Sequence, residues 1–468
     1  MADVVNKLWG LCHTMRHDGI DYGDYIEQLT YLLFIKMAEE KEIELPANCE
    51  WTTLKQKNGT GLIDHYFAVL QSLREAPGLL GDIFAQAMPK FANPVALKKI
   101  LNVIDGEDWS ALGVDVKAEA FEGLLEKAAS EGKKGAGQYF TPRVLIQSMV
   151  RLMKPDPVKQ TLTVCDPACG TGGFLIASYE WLIQETKGAF PQGIIKRIKE
   201  QTYFGQDLVA RPRRLALMNM FLHGLNPTIY LGDTIYEPDR GERYDIILTN
   251  PPFGTKGAGE APERDDFTIR TSNKQLNFMQ HILTILKPGG RAAVVLPDNC
   301  LFEDKAGDVF EILMADCNLH TILRLPRGTF IPYANAQANV IYFQKGKATK
   351  ETWIYDCRSN IPSCTKKDRP LTAEMFTDFE QCYGNDPNGS SKRLNQGETG
   401  RFRAFSIDDI KARHYNLDIK WLKDESLDDP DNLPEPLDLI TEAVSELEAI
   451  LDELNEICNL LEPIDAPE

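Results

Sequence analysis

The sequence of 468 residues lacks several features that would each narrow its class. No stretch approaches about 18 uninterrupted apolar residues, so a membrane-spanning helix is not expected. "MADVVNKLWGLCHTMRHDG" lacks the basic start, apolar middle and cleavage site of a secretory signal, which points to the cytoplasm. Ten cysteines include no C-x-x-C pair and no zinc-ligand spacing. They read as scattered reduced thiols, with no metal site expected. No internal repeat is visible. Basic residues are missing from one whole segment: Asp424 to Glu468 holds sixteen acidic residues and no Lys or Arg, which accounts for all but 2 of the net charge of −18. The body is near neutral. It has room for a local basic groove but would not grip DNA strongly alone.

What is present divides the chain into four parts. Residues 1–130 read as a helical N-terminal domain. "YGDYIEQLTYLLFIKMAEEKE" puts Tyr25, Leu29, Leu32, Leu33 and Lys36 at helical spacings with charge on the other side, and "VALKKILNVID" and "AEAFEGLLEKAA" follow suit. "EGKKGAGQYFTPRVL" breaks that pattern at a Gly- and Lys-rich junction. Over residues 131–350 strand candidates ("TLTVC", "YFGQD", "TIYLG", "YDIILT", "RAAVVLP", "LHTILRL", "ANVIYFQ") are interspersed with helix candidates ("GFLIASYEWLIQE", "RRLALMNMFLH", "NFMQHILTILK"). This predicts an α/β domain, a mostly parallel sheet with helices on both faces. Residues 351–435 read as an irregular extension, with "YGNDPNGSSKRLNQGETG" as a mobile loop. Over 436–463, Ile440, Val444, Leu447, Leu451, Leu454, Cys458 and Leu461 recur in steps of four and three. Such a seam suits a C-terminal helix packed on a partner or on this chain.

"TLTVCDPACGTGGFLIASYE" joins a strand, an acid, a Gly-rich turn and a helix. Three ligand types use such turns: NTP phosphates, dinucleotides, and nucleosides without phosphate. The P-loop signature is absent, and G-T-G-G is not the dinucleotide fingerprint. Asp166 before the turn is badly placed for a phosphate and suits a cation. S-adenosylmethionine, with an ammonium and a sulfonium, fits. Asp166 and the 168–172 backbone, with Ala168, Gly170, Thr171 and Gly172, are assigned to its methionyl part, Gly173 is counted with the cofactor-binding loop, and Asp207 at the next strand end is assigned to its ribose. Asp233 in "YLGDTI" is a weaker candidate for the adenine amine, since a strand-end Asp also serves as a turn residue.

"YDIILTNPPFG" ends a strand in a carboxamide, two prolines and a ring expected to be exposed. Alone, N-P-P-F would read as a proline-terminated strand with a buried Phe. With the glycine loop about 80 residues upstream it reads as an amino-group methylation site across the switch point of the sheet. The Asn250 side-chain carbonyl and the Pro251 backbone carbonyl are acceptors for an amine whose lone pair is delocalised into a ring. Pro251 and Pro252 stiffen the segment, and Phe253 offers a face for a flat base to stack on.

With these motifs in place, the chain resembles the N6-adenine DNA methyltransferases. "DPACGTGGFL" and "TNPPFG" are similar to their cofactor and catalytic motifs. "GQYFTPRVLIQSMV" resembles the third, which in the gamma arrangement precedes the glycine loop; it implies Gln138, Tyr139, Phe140, Thr141 and Pro142 as cofactor-binding residues. More narrowly, "LWGLCHTMRHDGIDYGDYIEQLTYLLFIK", "RLALMNMFLHG", "LPRGTFIPYANAQANVIYFQKG" and "RHYNLDIKWL" are similar to the modification subunit of type I restriction–modification systems. The resemblance implies a Rossmann-like S-adenosylmethionine-dependent methyltransferase sheet with an all-α N-terminal domain. It also implies double-stranded DNA, a specificity subunit, a second copy of this chain and a motor-nuclease restriction subunit as partners. Two rival readings are a methyltransferase of protein glutamine amides and a non-catalytic scaffold that binds the cofactor.

Overall fold

The computed structural model describes residues 10, 20, 22–40, 43–106, 141–253, 261–331, 336–365 and 368–423. Nine strands form one sheet: β1 (Val164–Asp166), β2 (Tyr203–Asp207), β3 (Thr228–Leu231), β4 (Tyr244–Thr249), β5 (Leu286–Pro297), β6 (Cys317–Arg324), β7 (Ala338–Lys345), β8 (Glu351–Asp356) and β9 (Phe402–Ser406). Their order is β3-β2-β1-β4-β5-β7-β6-β8-β9. β1 pairs in parallel with β2 on one side and β4 on the other, so the chain reverses its direction of travel across the sheet there. The first five strands are all parallel; β7 runs antiparallel between β5 and β6.

All seven strands expected from the sequence are present. The additional strands, β8 and β9, fall in the stretch expected to be irregular, and they extend the sheet by one parallel and one antiparallel pairing. The 383–400 loop, expected to be mobile, is tied down. Asp386 accepts the N–H groups of Asn388 and Ser390, and Arg393 donates to the His320 carbonyl at 3.0 Å. The expected helix at 118–129, Gln138, Tyr139, Phe140 and the seam at 436–463 lie outside the described residues.

Alternation along the central strands divides the interior into two cores, as the two-residue period of a strand dictates. Val164, Ile246, Leu248, Ala293 and Val295 face one core. There they meet α6 (Arg143–Met153), α7 (Gly173–Thr186) and α9 (Ala210–Leu222). Cys165, Ile247, Ala292, Val294 and Leu296 face the other, under α10 (Lys274–Ile285) and α11 (Ala306–Asp316). α8 (Gln192–Gln201) precedes β2, and α12 (Glu374–Tyr383) and α13 (Ile407–Ala412) come late in the chain. The eight described free cysteines include seven that are buried. No described helix is long and apolar enough to cross a membrane.

The N-terminal helices are α1 (Tyr22–Glu40), α2 (Trp51–Gln56), α3 (Thr60–Arg74), α4 (Leu79–Phe84) and α5 (Pro94–Asp105). α5 starts where sequence rules place a start: Asn93 caps the Val95 N–H at 2.9 Å and Pro94 occupies the first turn. α1 is buried more widely than a one-faced pattern predicts, for Tyr31, Phe34 and Ile35 are buried along with Tyr25, Leu29, Leu32 and Leu33. The reason is α9. Phe34 packs on Phe221 at 4.7 Å, and Arg211 and Arg214 of α9 both pair with Glu27 of α1.

Candidate active site

The glycine loop leaves β1 at Asp166 and enters α7 at Gly173. The Cys169 N–H donates to the Gln206 carbonyl at 2.9 Å and the Gly172 N–H to the Cys169 carbonyl at 2.8 Å, which closes the turn against β2. Gly170 (φ +52°) and Gly172 (φ +83°) hold left-handed conformations that favour glycine. A Cβ on Gly172 would lie 3.3 Å from Cβ of Ala216 in α9, and one on Gly173 3.0 Å from Ile146 in α6. The loop therefore needs its glycines for shape and for clearance. From α9, Asn219 reaches the Thr171 carbonyl at 3.5 Å.

Two carboxylates flank this loop. Asp166 is buried and accepts the Ala168 N–H at 3.1 Å. Asp207 accepts the N–H groups of Gly170 at 3.0 Å and Val209 at 2.8 Å. Burial pushes the Asp166 carboxyl up to about 7, against the opposing pull of the Thr249 hydroxyl and the Ala168 N–H. Burial likewise pushes Asp207 up to about 6, with the Val209 and Gly170 N–H groups opposing. Among the described residues, no Lys or Arg offsets either charge. Two acids desolvated without a cation fit a cationic ligand, which would supply the missing positive charge.

Asp233 does something narrower. Its carboxylate accepts the N–H groups of Ile235 at 2.9 Å and Tyr236 at 3.1 Å, so it caps its own turn. The sequence reading missed the apolar surface beside these acids. Leu208, directly after Asp207, is 63% exposed, and Leu231, the register partner of Asp207 in β3, is also exposed. An apolar residue following a strand-end acid, where a polar turn residue is usual, was the available signal.

N-P-P-F follows β4, the strand beside β1, as the switch-point reading requires. The Asn250 amide nitrogen donates to the Thr141 hydroxyl at 2.9 Å. Its carbonyl oxygen, Oδ1, is buried and has no partner among the described residues. Pro251 is buried and Pro252 exposed, and the Pro252 carbonyl accepts from Gln275 at 2.8 Å. Gln275, at the start of α10, is a second residue that the sequence reading missed. The exposed ring expected at Phe253 is a buried one, 8% accessible, which meets Phe330 edge-on with centroids 5.5 Å apart. The loop after β6 supplies Phe330, a partner that strand-end composition does not reveal. Thr141, expected beside the cofactor, is placed against the carboxamide, and Pro142 caps the start of α6.

Residues 113–428 match the N-6 DNA Methylase family, and residues 4–104 match the HsdM N-terminal domain. The chain is 40% identical to the type I restriction enzyme EcoKI methylase subunit of Escherichia coli (strain K12), over 97% of this chain and 94% of that protein. It is similar to the crystal structure of the EcoKI M protein, with a TM-score of 0.57 and 34% identity, covering 100% of this chain and 98% of that one. It is also similar to a chain from a study of complex assembly and conformational transition in a type I R-M system, with a TM-score of 0.74, 26% identity and 99% of each chain covered. The chain belongs to the N-6 DNA methylase family, and within it to the methylase subunits of type I restriction enzymes.

Proposed function

We propose that this subunit methylates N6 of a flipped-out adenine in DNA, using S-adenosyl-L-methionine, at a site chosen by a separate specificity subunit. The observation that carries this reading is the buried Oδ1 of Asn250, without a partner among the described residues, at the end of the strand beside β1, where Asp166 is buried, with Asp207 partly buried at the end of β2 one strand farther on. The cofactor, when bound, supplies an electrophilic methyl group on a cationic sulfur. Asp166 and the backbone of Ala168, Gly170, Thr171, Gly172 and Gly173 would hold its methionyl part and Asp207 its ribose. Extruding the adenine costs a few kcal/mol of unpairing and unstacking. Asn250 Oδ1 and the Pro251 carbonyl then accept the two N–H bonds of the amine, which draws the nitrogen towards tetrahedral geometry and frees its lone pair. Phe253, with Phe330 against it, forms the aromatic wall for the base. No general base is needed before attack, since the nitrogen loses its proton readily once alkylated. Catalysis is then mainly orientation and hydrogen bonding.

The near-neutral body supports the assignment of sequence recognition to another chain. A second copy of this subunit and a motor-nuclease subunit would complete the assembly. The test is labelled methyl transfer to DNA, with product nucleosides identified, in the presence and absence of the candidate specificity subunit. N6-methyladenine only with the partner is expected. Asn250→Ala should abolish the product while cofactor binding, measured by calorimetry, stays largely intact. Equal loss of cofactor affinity contradicts the role given to Asn250. A methylated glutamine in place of methyladenine would instead favour the amide substrate.

A further inference from the structure

A carboxamide has two ends, and each needs a partner. Asn250 offers an acceptor at Oδ1 and two donors at Nδ2. The amine of an adenine offers N–H donors to a pair of acceptors, so it can satisfy only the oxygen. The nitrogen end must find its acceptor within the protein, and the Thr141 hydroxyl is that acceptor, at 2.9 Å. The contact crosses 109 positions of sequence.

Thr141 is itself held firmly. It immediately precedes Pro142 and α6, whose buried face includes Leu145, Ile146, Met149 and Val150. At the start of that helix, Arg143 makes a two-pronged pair with Glu180 of α7, at 2.8 and 2.9 Å. At its end, Arg291 of β5 donates to the Met153 carbonyl at 2.8 and 2.7 Å. The helix is anchored at both ends, to α7 and to the sheet. Thr141, two residues before the helix begins, presents its hydroxyl from the start of this anchored element. An amide held at one end by a fixed point keeps its other end aimed.

We propose that Thr141 is a positioning residue for methyl transfer: its hydroxyl holds the nitrogen end of Asn250 so that the carbonyl end faces the substrate amine. This rests on the N6-adenine reading given above, and it assigns Thr141 a task different from the cofactor contact that the sequence resemblance implies. Removing the acceptor takes away the partner of a partly buried NH2 group and lets the amide rotate. The loss should appear in the chemical step and leave cofactor binding unchanged.

The experiment compares Thr141→Val, which keeps the shape and loses the hydroxyl, with Thr141→Ser, which keeps the hydroxyl. Both are made in the full chain and assayed with the specificity subunit and DNA. Single-turnover rates are read alongside S-adenosyl-L-methionine affinity by calorimetry. A misaimed catalytic group costs on the order of 10–100-fold in rate, so Thr141→Val should be slower by that factor with cofactor affinity within about two-fold of the parent's. Thr141→Ser should recover most of the rate. A Val variant as fast as the parent overturns the proposal. So does one whose cofactor affinity falls in step with its rate, since that marks a cofactor ligand, and so does a Ser variant as slow as Val. Failure of the parent complex to form N6-methyladenine would count against the underlying reading instead, and is separable because it precedes any variant.

Discussion

Asp166 and Asp207 carry opposite consequences for the empty and the loaded protein. A carboxyl whose folded value lies above its ordinary one costs nothing below the ordinary carboxylate range. Its penalty on folding grows as pH rises and is complete above the folded value, here about 7 for Asp166. A bound cation reverses the account by favouring the ionised form. On the reading proposed above, cofactor affinity should therefore strengthen by roughly ten-fold between pH 5.5 and 7.5 and then level off. Asp166→Asn should raise the melting temperature of the cofactor-free protein by about 1 °C per kcal/mol relieved, while weakening cofactor binding. Calorimetry across that pH range and a thermal scan check both; a flat profile, or a destabilised Asn variant, contradicts them. The positions of Asp166 and Asp207 were legible because one acid stands at a strand end before a Gly-rich turn and the other at the end of the next strand. The Asn250–Thr141 contact and the burial of Phe253 were not. Each depends on a residue more than 70 positions away, and no local pattern encodes such a meeting.

Elements were legible by their apolar content more than by their length, since β1 and β3, at three and four residues, were readable. Seven strands of the sheet stand out in the sequence, but β8 and β9, at six and five residues, are separated by 45 residues and carry mixed polar patterns. What ties this late part of the sheet to β5 is an ion pair between a buried arginine and a partly buried aspartate. Arg358, just past β8, binds Asp298, just past β5, through both of its terminal nitrogens, and also reaches the carbonyls of Leu325 and Ala338. Burial alone would raise the Asp298 carboxyl, but the Arg358 guanidinium outweighs it and holds the group below its ordinary value. Its contribution is thus present at neutral pH and is lost as pH falls through the acid range, the reverse of Asp166. Arg358→Ala leaves Asp298 without its main cation and should cost about 3–5 kcal/mol in urea unfolding. Adding Asp298→Asn should recover part of that loss. A single variant within 0.5 kcal/mol of the parent, roughly the scatter of surface substitutions, would refute the role.

For the whole molecule, α9 is the joint between the helical N-terminal part and the catalytic sheet. Arg214 is buried, and burial lowers it to about 10. It pairs with Glu27 and bonds the Tyr31 hydroxyl and the Ala85 carbonyl. Arg213 adds a pair with Asp82 at 3.3 Å. Farther along the same helix, Ala216 and Asn219 press on the glycine loop. Arg214→Met should loosen this joint and split thermal unfolding into two transitions, since Glu27 and Tyr31 would lose their buried cation; one unchanged transition would count against it. The family was legible across the chain from its motifs, whereas the docking of its parts was not, because "RPRR" at 211–214 reads equally well as a basic surface for DNA.

The strand order also sets a timetable for synthesis. Both neighbours of β6, namely β7 and β8, come later in the chain. The half-sheet β3-β2-β1-β4-β5, which bears both the glycine loop and N-P-P-F, is complete at Pro297. As the chain emerges from the ribosome N-terminus first, that half has all its strands before β6 appears. β6 then has no ladder to join until residue 338 and beyond have been made. The nascent chain thus passes through a stage in which its chemistry-bearing half is whole and a buried strand is still an orphan, the interval in which a chaperone or a wrong edge would find it.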